Sequence, residues 1–503
     1  MKPSEKLAQS LEVLQNLQKQ GKYAIQSKDI SRTHRERLVE NAFLEEVVKG
    51  WYVPIKPDEQ KGESTAWYAS FWNFCASYLN ERFGDEWCLS PEQSLLLHSE
   101  NWTVPKQLMI RSPKGTNRNM ELPHNTALFS VQYKMPAAQD IEIKQDMRVY
   151  GLVPALLYCS PKFFSQYPTE ARSLLSMFNS ASDFLYYLLD EGHSWIAGRI
   201  CGALRNIGKD HVAEEIKKTM ESAGYQIREE DPFLTNTPID FSATNKPAYR
   251  SRLEVMWHDM RQIVRENFPN SSPKTINIKQ YLEHVEESYI SDAYHSLSIE
   301  GYQVSPDLIE KVRSGQWNPD ATERDRNQRN ALAARGYWQA FQSVEKSLIK
   351  VLNGENPGKI IQKEHGDWYR ELFQPSVAVG LLKPTDLAGY RRSPVFIRQS
   401  KHIPSRWQIV SELMDEFFQL MIQEEEPAVR VVLGHFFFVY IHPYFDGNGR
   451  IGRFLMNVML ASGHYPWTII PVEKRNEYME ALEQASVNQN IVPFTKFIAS
   501  CIE

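Results

Sequence analysis

Apolar residues recur at helical spacing through EKLAQSLEVLQNLQKQG and stop at Gly21, which predicts an opening helix. AIQSKDIS fits a short second helix or a turn, and RTHRERLVENAF fits a third helix. FLEEVVKGWYVP then reads as two short strands around Lys49-Gly50. Three helices and a hairpin over residues 1–54 make a winged helix-turn-helix, with Arg32–Asn41 as the recognition helix and Arg32, Arg35 and Arg37 facing DNA. The same pattern fits a small helical cap whose arginines form a solvated face, and the pattern alone does not choose.

Over residues 55–230 the alternating stretches QLMIRS, ALFSVQY and IEIKQDMRVYG predict strands. Helices follow through ARSLLSMF, SDFLYYLLD and HVAEEIKKTMESAG, so this part is expected to be an α/β module without a catalytic constellation. Asp85, Glu86 and His98 read as scattered loop polars. Residues 231–247, rich in Pro, Asn, Thr and Asp, read as a linker. Beyond them, over 248–503, the pattern becomes mostly helical, as in Pro427–Ile441, where proline opens a buried run after three glutamates.

Composition narrows the picture. The chain has 503 residues, a length expected for about two to four domains. Its net charge of −5 gives no global attraction to nucleic acid, so a DNA contact has to come from a local patch. The five cysteines, odd in number and without a C-x-x-C pair, argue against a disulfide framework or zinc site and fit a reducing compartment. MKPSEKLAQSLEVL lacks a signal-peptide core, and the most apolar run, Val431–Ile441, is too short to span a bilayer. A cytoplasmic location without membrane contact is therefore expected.

The candidate chemistry lies in HPYFDGNGRIGR, residues 442–453. Gly447, Gly449 and Gly452 spell G-x-G-x-x-G, but the context of a dinucleotide site fails. Five residues separate the candidate strand from the first glycine, and Asp446 would put negative charge beside a pyrophosphate. A triphosphate site uses every polar residue. The loop opens onto a helix expected from about Arg450, whose free N–H groups favour an anion. Gly447 and Gly449 allow close backbone approach, Asp446 suits Mg²⁺, Arg450 and Arg453 offer forked donors, and His442 can accept a hydroxyl proton.

The stretch resembles the Fic-domain signature H-x-F-x-(D/E)-G-N-G-R-x-x-R, with Tyr444 in place of the phenylalanine. That exchange keeps a ring and is expected to keep its packing. The resemblance implies an all-α domain that transfers AMP from ATP to a Ser, Thr or Tyr hydroxyl of a protein, the chain itself included. By position, His442 is then the general base and Asp446 the Mg²⁺ ligand. Asn448 with the Gly447–Gly449 backbone would hold phosphate, and Arg450 and Arg453 the outer phosphates. Intact GNGR favours nucleotide transfer over phosphorylation.

Two flanking stretches fit the same resemblance. AGYRRSPVFIRQSKHIPS, residues 388–405, resembles the family's β-hairpin flap, placing Val395, Phe396, Ile397 and Arg398 beside the nucleotide. KRNEYMEALEQASVNQN resembles the adenine-pocket helix, with Tyr478 as its aromatic residue and Ser486 where relatives often carry Asn. SLSIEG, residues 296–301, fits the inhibitory pattern (S/T)-x-x-x-E-(G/N). Ser296 and Glu300 share a helix face before Gly301, and the resemblance implies that Glu300 withholds Arg453, as in the class with an N-terminal inhibitory helix. The same glutamate could instead position water to remove AMP.

SKDISRTHRERLVENAFLEEVVKGWYVP in turn resembles the winged helix of abortive-infection type IV antitoxins. The expected fold is multidomain α+β: an N-terminal winged helix, an α/β middle module, and a C-terminal all-α Fic domain with a β-hairpin flap. The leading reading is an autoinhibited protein adenylyltransferase using ATP and Mg²⁺, with self-association as a homodimer left open. The alternative is a DNA-binding antitoxin-type regulator whose Fic domain senses nucleotide.

Overall fold

The computed structural model describes residues 3–55, 63–235, 239–242, 246–269, 277–317 and 325–502. They form two compact units. The first is Met1–Arg252 with Phe396–Ile403, and the second is Leu253–Val395 with Pro404–Glu503. All five cysteines are buried and unpaired. Among the described residues no helix is long and apolar enough to cross a membrane.

The first unit opens with the helix Pro3–Lys19 and a three-stranded antiparallel sheet, in which Trp51–Pro54 lies between Ile25–Gln26 and Leu44–Val48. The helix Arg32–Glu40 starts at Ser31, whose hydroxyl accepts from the His34 N–H. Leu14, Leu17, Ile25, Ile30, Leu38 and Leu44 close a small core beneath it. AIQSKDIS is a short strand and a turn rather than a helix. Asp29 holds that turn by accepting from the Gln26 N–H at 2.9 Å.

The helix Thr65–Phe83 follows, then a mixed four-stranded sheet ordered Cys88–Leu89, Gln107–Ser112, Thr126–Gln132, Arg118–Leu122, with a parallel pair at its centre. The IEIKQDMRVYG stretch forms the separate hairpin Ile141–Lys144 and Met147–Tyr150. Residues 231–247 are not a free linker where they are described. Phe233 is buried against Phe164, and a Cβ at Gly202 would lie 2.2 Å from the Glu230 carbonyl. The helix Ser194–Asn206 thus carries glycines so that this segment can lie on it, and the segment belongs to the first unit. Residues 236–238 and 243–245 of the expected linker lie outside the described residues.

Every regular element described in the second unit is a helix. Pro427–Ile441 is buried on nearly every face, with Phe436, Phe437 and Phe438 inaccessible to solvent. Such all-round burial explains its strongly apolar sequence, which Arg430 and His435 interrupt with polar groups. It packs against Asn448–Ser462, and HPYFDG forms the connection between them. Gly452 serves this packing, since a Cβ there would come within 3.0 Å of Val439 Cγ1. Its place in the glycine pattern is therefore a matter of helix contact, not of phosphate.

The stretch 388–405 contains no strand, contrary to the expected hairpin. Pro394 and Pro404 lack the N–H a ladder needs, and Gln399 turns the chain with φ 58°.

Candidate functional site: an anion cradle at a helix N-terminus

His442 ends the helix Pro427–Ile441 in the left-handed region, at φ 55° and ψ 60°. The conformation is uncommon for a residue with a Cβ and turns the chain sharply into the loop. The His442 Nδ1–H donates to the Val439 carbonyl at 3.1 Å, a bond that requires the proton on Nδ1 and leaves the Nε2 lone pair available. Burial, with the nearby Arg391 charge adding to it, lowers the imidazole pKa to about 4. The ring is therefore neutral at pH 7.

The loop is braced from within. The Asn448 side chain accepts from the Tyr444 N–H at 2.9 Å and donates to the Tyr444 carbonyl at 2.8 Å. Its amide is thereby engaged in closing the loop and is buried. Tyr444 is stacked on Tyr369, with ring centroids 3.9 Å apart and planes within 6°, so the hydroxylated ring packs as an aromatic should. Asp446 stays half exposed, accepts from the Gly447 N–H at 2.6 Å, and lies 3.3 Å from an Arg450 nitrogen.

Gly447 stands at φ 82° immediately before the helix Asn448–Ser462, and a Cβ on it would meet the Phe373 ring at 2.9 Å. Free N–H groups at this helix start and the two arginines make an electropositive cradle. Arg450 is 1% exposed, and none of its three nitrogens has a hydrogen-bond partner. Buried guanidinium N–H groups without acceptors are costly even with a carboxylate nearby, which fits a site built for an anionic ligand.

A carboxylate already reaches into this cradle. Glu300 follows the helix Ile278–Ile299, and a Cβ on Gly449 would lie 2.3 Å from its Oε1. Arg453 donates to Glu300 Oε1 at 2.7 Å, to the Ser296 hydroxyl at 2.9 Å and to the Ser296 carbonyl at 3.0 Å. Burial opposes the charge on Arg453, but the Glu300 carboxylate outweighs it and raises the pKa. Gly301, at φ 87°, ends the helix behind Glu300. A cleft of about 280 Å³ opens beside Glu300, Gly301 and Asp446.

Tyr478 is buried, its hydroxyl is 2.7 Å from His435 Nε2, and Arg453 and Glu300 are close enough to act on it electrostatically. Val395 is in the second unit, whereas Phe396, Ile397 and Arg398 are in the first. There Arg398 Nε donates to Glu63 at 2.6 Å. Among the basic candidates of the first helices, Arg37 donates to the Lys6 carbonyl and Ser10, and Arg35 lies over the Tyr52 ring. Arg32 pairs with Glu36 one turn on. A larger cleft in the first unit, about 580 Å³, is lined by Asp140, Glu142 and Asp183, charges that repel phosphate.

Two residues that the sequence reading did not single out adjoin the site. Arg391 donates from Nε to the His442 carbonyl at 2.8 Å and is buried, so it fixes the backbone of the candidate base. Asp292 accepts from the Tyr337 hydroxyl at 2.7 Å, one turn before Ser296, and burial pushes its carboxyl up to about 6. Spacing from Ser296 and Glu300 on one helix face was the available clue to Asp292.

Residues 361–460 match the model of the Fic/DOC family. Protein adenylyltransferase Fic of Drosophila grimshawi is 29% identical over 221 residues, covering 43% of this chain and 42% of the relative. The protein of the same name from Nematostella vectensis is 28% identical over 224 residues, covering 44% of this chain and 48% of the relative. The chain thus spans less than half the length of these relatives. Among solved structures, C. elegans Fic-1 (aa134 - 508) covers 66% of this chain and 92% of its own at 17% identity and a TM-score of 0.36.

Proposed function

From the Fic domain that the C-terminal part of the chain carries, we propose that the protein is an adenylyltransferase that moves AMP from ATP to a hydroxyl side chain of a protein. The observation that carries this reading is the buried Arg450 guanidinium without a hydrogen-bond partner, in the first turn of a helix whose preceding glycine loop begins at a neutral histidine. The phosphates of ATP supply the missing negative charge. Gly447, Gly449 and the first N–H groups of the helix receive phosphate oxygens, and Arg450 and Arg453 receive the outer phosphates.

The target hydroxyl gives its proton to His442 Nε2 as its oxygen bonds to the α-phosphorus. The bond from that phosphorus to the oxygen bridging to the β-phosphate breaks, and pyrophosphate leaves. His442 keeps its base form because burial and Arg391 disfavour the imidazolium. Asp446 is the one carboxylate of the loop, and among the described residues no cluster of three or more metal-binding side chains occurs. Asp446 would be the residue to hold a Mg²⁺ here, and such an ion would supply charge neutralisation to the phosphates.

Glu300 holds the site in check by occupying the cradle and engaging Arg453. Incubating the full-length protein with each Mg-NTP and weighing it tests the reaction. The expected adduct has the mass of AMP and appears with ATP; a bare phosphate adduct overturns the assignment. Glu300→Gly is expected to raise incorporation of labelled ATP at least tenfold and His442→Ala to abolish it. An unchanged rate in the Glu300 variant removes the inhibitory role. Glu300 also borders the cleft shared with Asp446, which favours a second reading in which it directs water to remove AMP. Purified AMP-modified target distinguishes the two, since only the second releases AMP from it.

The DNA-binding regulator is the weaker reading, because Arg35 and Arg37 are engaged within their own unit.

A further inference from the structure

Arg450 poses a mechanical question. A buried guanidinium without hydrogen-bond partners should sample several rotamers, yet a phosphate site needs it in one place. Two rings answer it. The Arg450 guanidinium carbon lies 5.1 Å from the Phe373 ring centroid and 5.3 Å from that of Tyr302. Phe373 comes from the helix Pro357–Ala378, where it also packs against Tyr369. Tyr302 comes from the turn that follows Glu300 and Gly301, and its N–H donates to the Leu297 carbonyl at 3.1 Å.

We propose that Tyr302 and Phe373 are positioning residues that hold the phosphate-binding Arg450 between two aromatic rings while leaving its N–H donors to the nucleotide. The proposal rests on the nucleotide-site reading above. A carboxylate partner would fix a guanidinium equally well but would occupy its donors and cancel its charge. Ring faces fix it through the quadrupole and occupy no donor. The Asp446 carboxylate at 3.3 Å is the nearest charge partner and makes no hydrogen bond to Arg450. Arg453 shows the contrasting state, with Nε and one terminal nitrogen engaged by Ser296 and Glu300.

The clamp has a second consequence. Glu300 and Tyr302 stand on either side of Gly301, so one turn touches both phosphate arginines, with a carboxylate on one and a ring on the other. Removing the Glu300 carboxylate lifts one of the holds on Arg453, with Ser296 still bonded to it, and leaves the ring in place. Displacing the whole turn frees Arg453 but loosens Arg450. A second cation, Arg329, lies 5.8 Å from the Tyr302 centroid and contributes to holding that ring.

Nucleotide binding to the full-length chain tests the clamp. The parent carries Glu300→Gly to open the site and His442→Ala to prevent turnover, and titration calorimetry compares MgATP with AMP. Tyr302→Ala and Phe373→Leu should each weaken ATP about threefold to thirtyfold while leaving AMP unchanged, the range expected for losing one cation–ring contact. Tyr302→Phe, which keeps the ring face, should restore ATP binding. The proposal is overturned if ATP and AMP weaken together in both clamp variants, if neither changes, or if Tyr302→Phe is as weak as Tyr302→Ala. A parent that binds no nucleotide overturns the nucleotide-site reading itself, an outcome visible before any clamp variant is made.

Discussion

At the scale of single residues, the candidate base is governed by neighbours that the motif does not contain. His442 is recognisable in HPYFDGNGR, but its readiness comes from burial and from Arg391, a residue flanked by Arg392 in a loop without periodic pattern. Arg391 donates to the His442 carbonyl, and its cation disfavours a second positive charge on the ring. Burial chiefly, with the Arg391 cation adding to it, lowers the imidazole pKa from 6.5 to about 4. A depressed histidine pKa stabilises the fold above pH 6.5, and that contribution is withdrawn as the pH falls towards 4. The rate of AMP transfer should likewise hold on the acid side to well below pH 6.5. Replacing Arg391 with Gln should lower the rate through loss of the backbone anchor and also move the acid inflection upward. A pH–rate profile that keeps its inflection in that variant contradicts an electrostatic role for Arg391.

At the scale of elements, the helix Ile278–Ile299 and the Glu300 that follows it grip Arg453 at two residues, and the proposed function makes that grip inhibitory. Ser296 holds Arg453 through both its hydroxyl and its carbonyl, and only the first is removed by Ser296→Ala. That variant should raise transfer less than Glu300→Gly, by about threefold to tenfold, since one hydrogen bond to a charged group contributes about 1.5–3 kcal/mol when intact and part of the grip persists. Equal activation by the two substitutions would mean that Glu300 acts only through Ser296. The helix itself was legible, because IKQYLEHVEESYISDAYHSLSIE keeps its apolar spacing and Gly301 ends it. The helix Thr65–Phe83 was not. It buries Trp67, Tyr68, Phe71, Trp72, Phe74, Cys75 and Leu79 on several faces, so no single stripe marks its period. The 388–405 segment failed for a different reason: its hairpin was expected from the family resemblance and its place before the motif, and two prolines deny it a ladder. Asn448 was read as a phosphate ligand from its motif, whereas its amide closes the loop on Tyr444, a contact between neighbours that no spacing rule reveals.

At the scale of the whole molecule, local chemistry was easier to read than division of the chain. The 442–453 stretch carried its own meaning because each polar residue has a use at a triphosphate site: arginines for phosphate, Asp446 for a cation and His442 for a proton. The boundary near residue 252 did not, since residues 231–247 have a linker's composition yet Phe233 and Phe241 are buried. The first unit also takes in Phe396–Ile403, where Glu63 pairs with Arg398 and Ile403 packs against the core around Trp67 and Phe71. Glu63→Ala should lower the thermal midpoint of the full chain by only a few degrees, because Arg398 is largely exposed and the pair contributes about 1 kcal/mol at most. Ile403→Asp should cost more, by placing a charge against that core. A calorimetric scan in which both variants melt like the parent would deny the segment a place in the first unit's stability.

The chain therefore crosses between its two units three times, after residues 252, 395 and 403. Such threading has a consequence for heredity as well as for folding. A recombination event that moved residues 253–503 alone to another gene would carry an eight-residue stretch fitted to a host left behind, as Phe396–Ile403 spans positions 396 to 403. Selection then favours transmitting the two halves together, as one cassette, and a change in either half at Glu63 or Arg398 invites a matching change in the other.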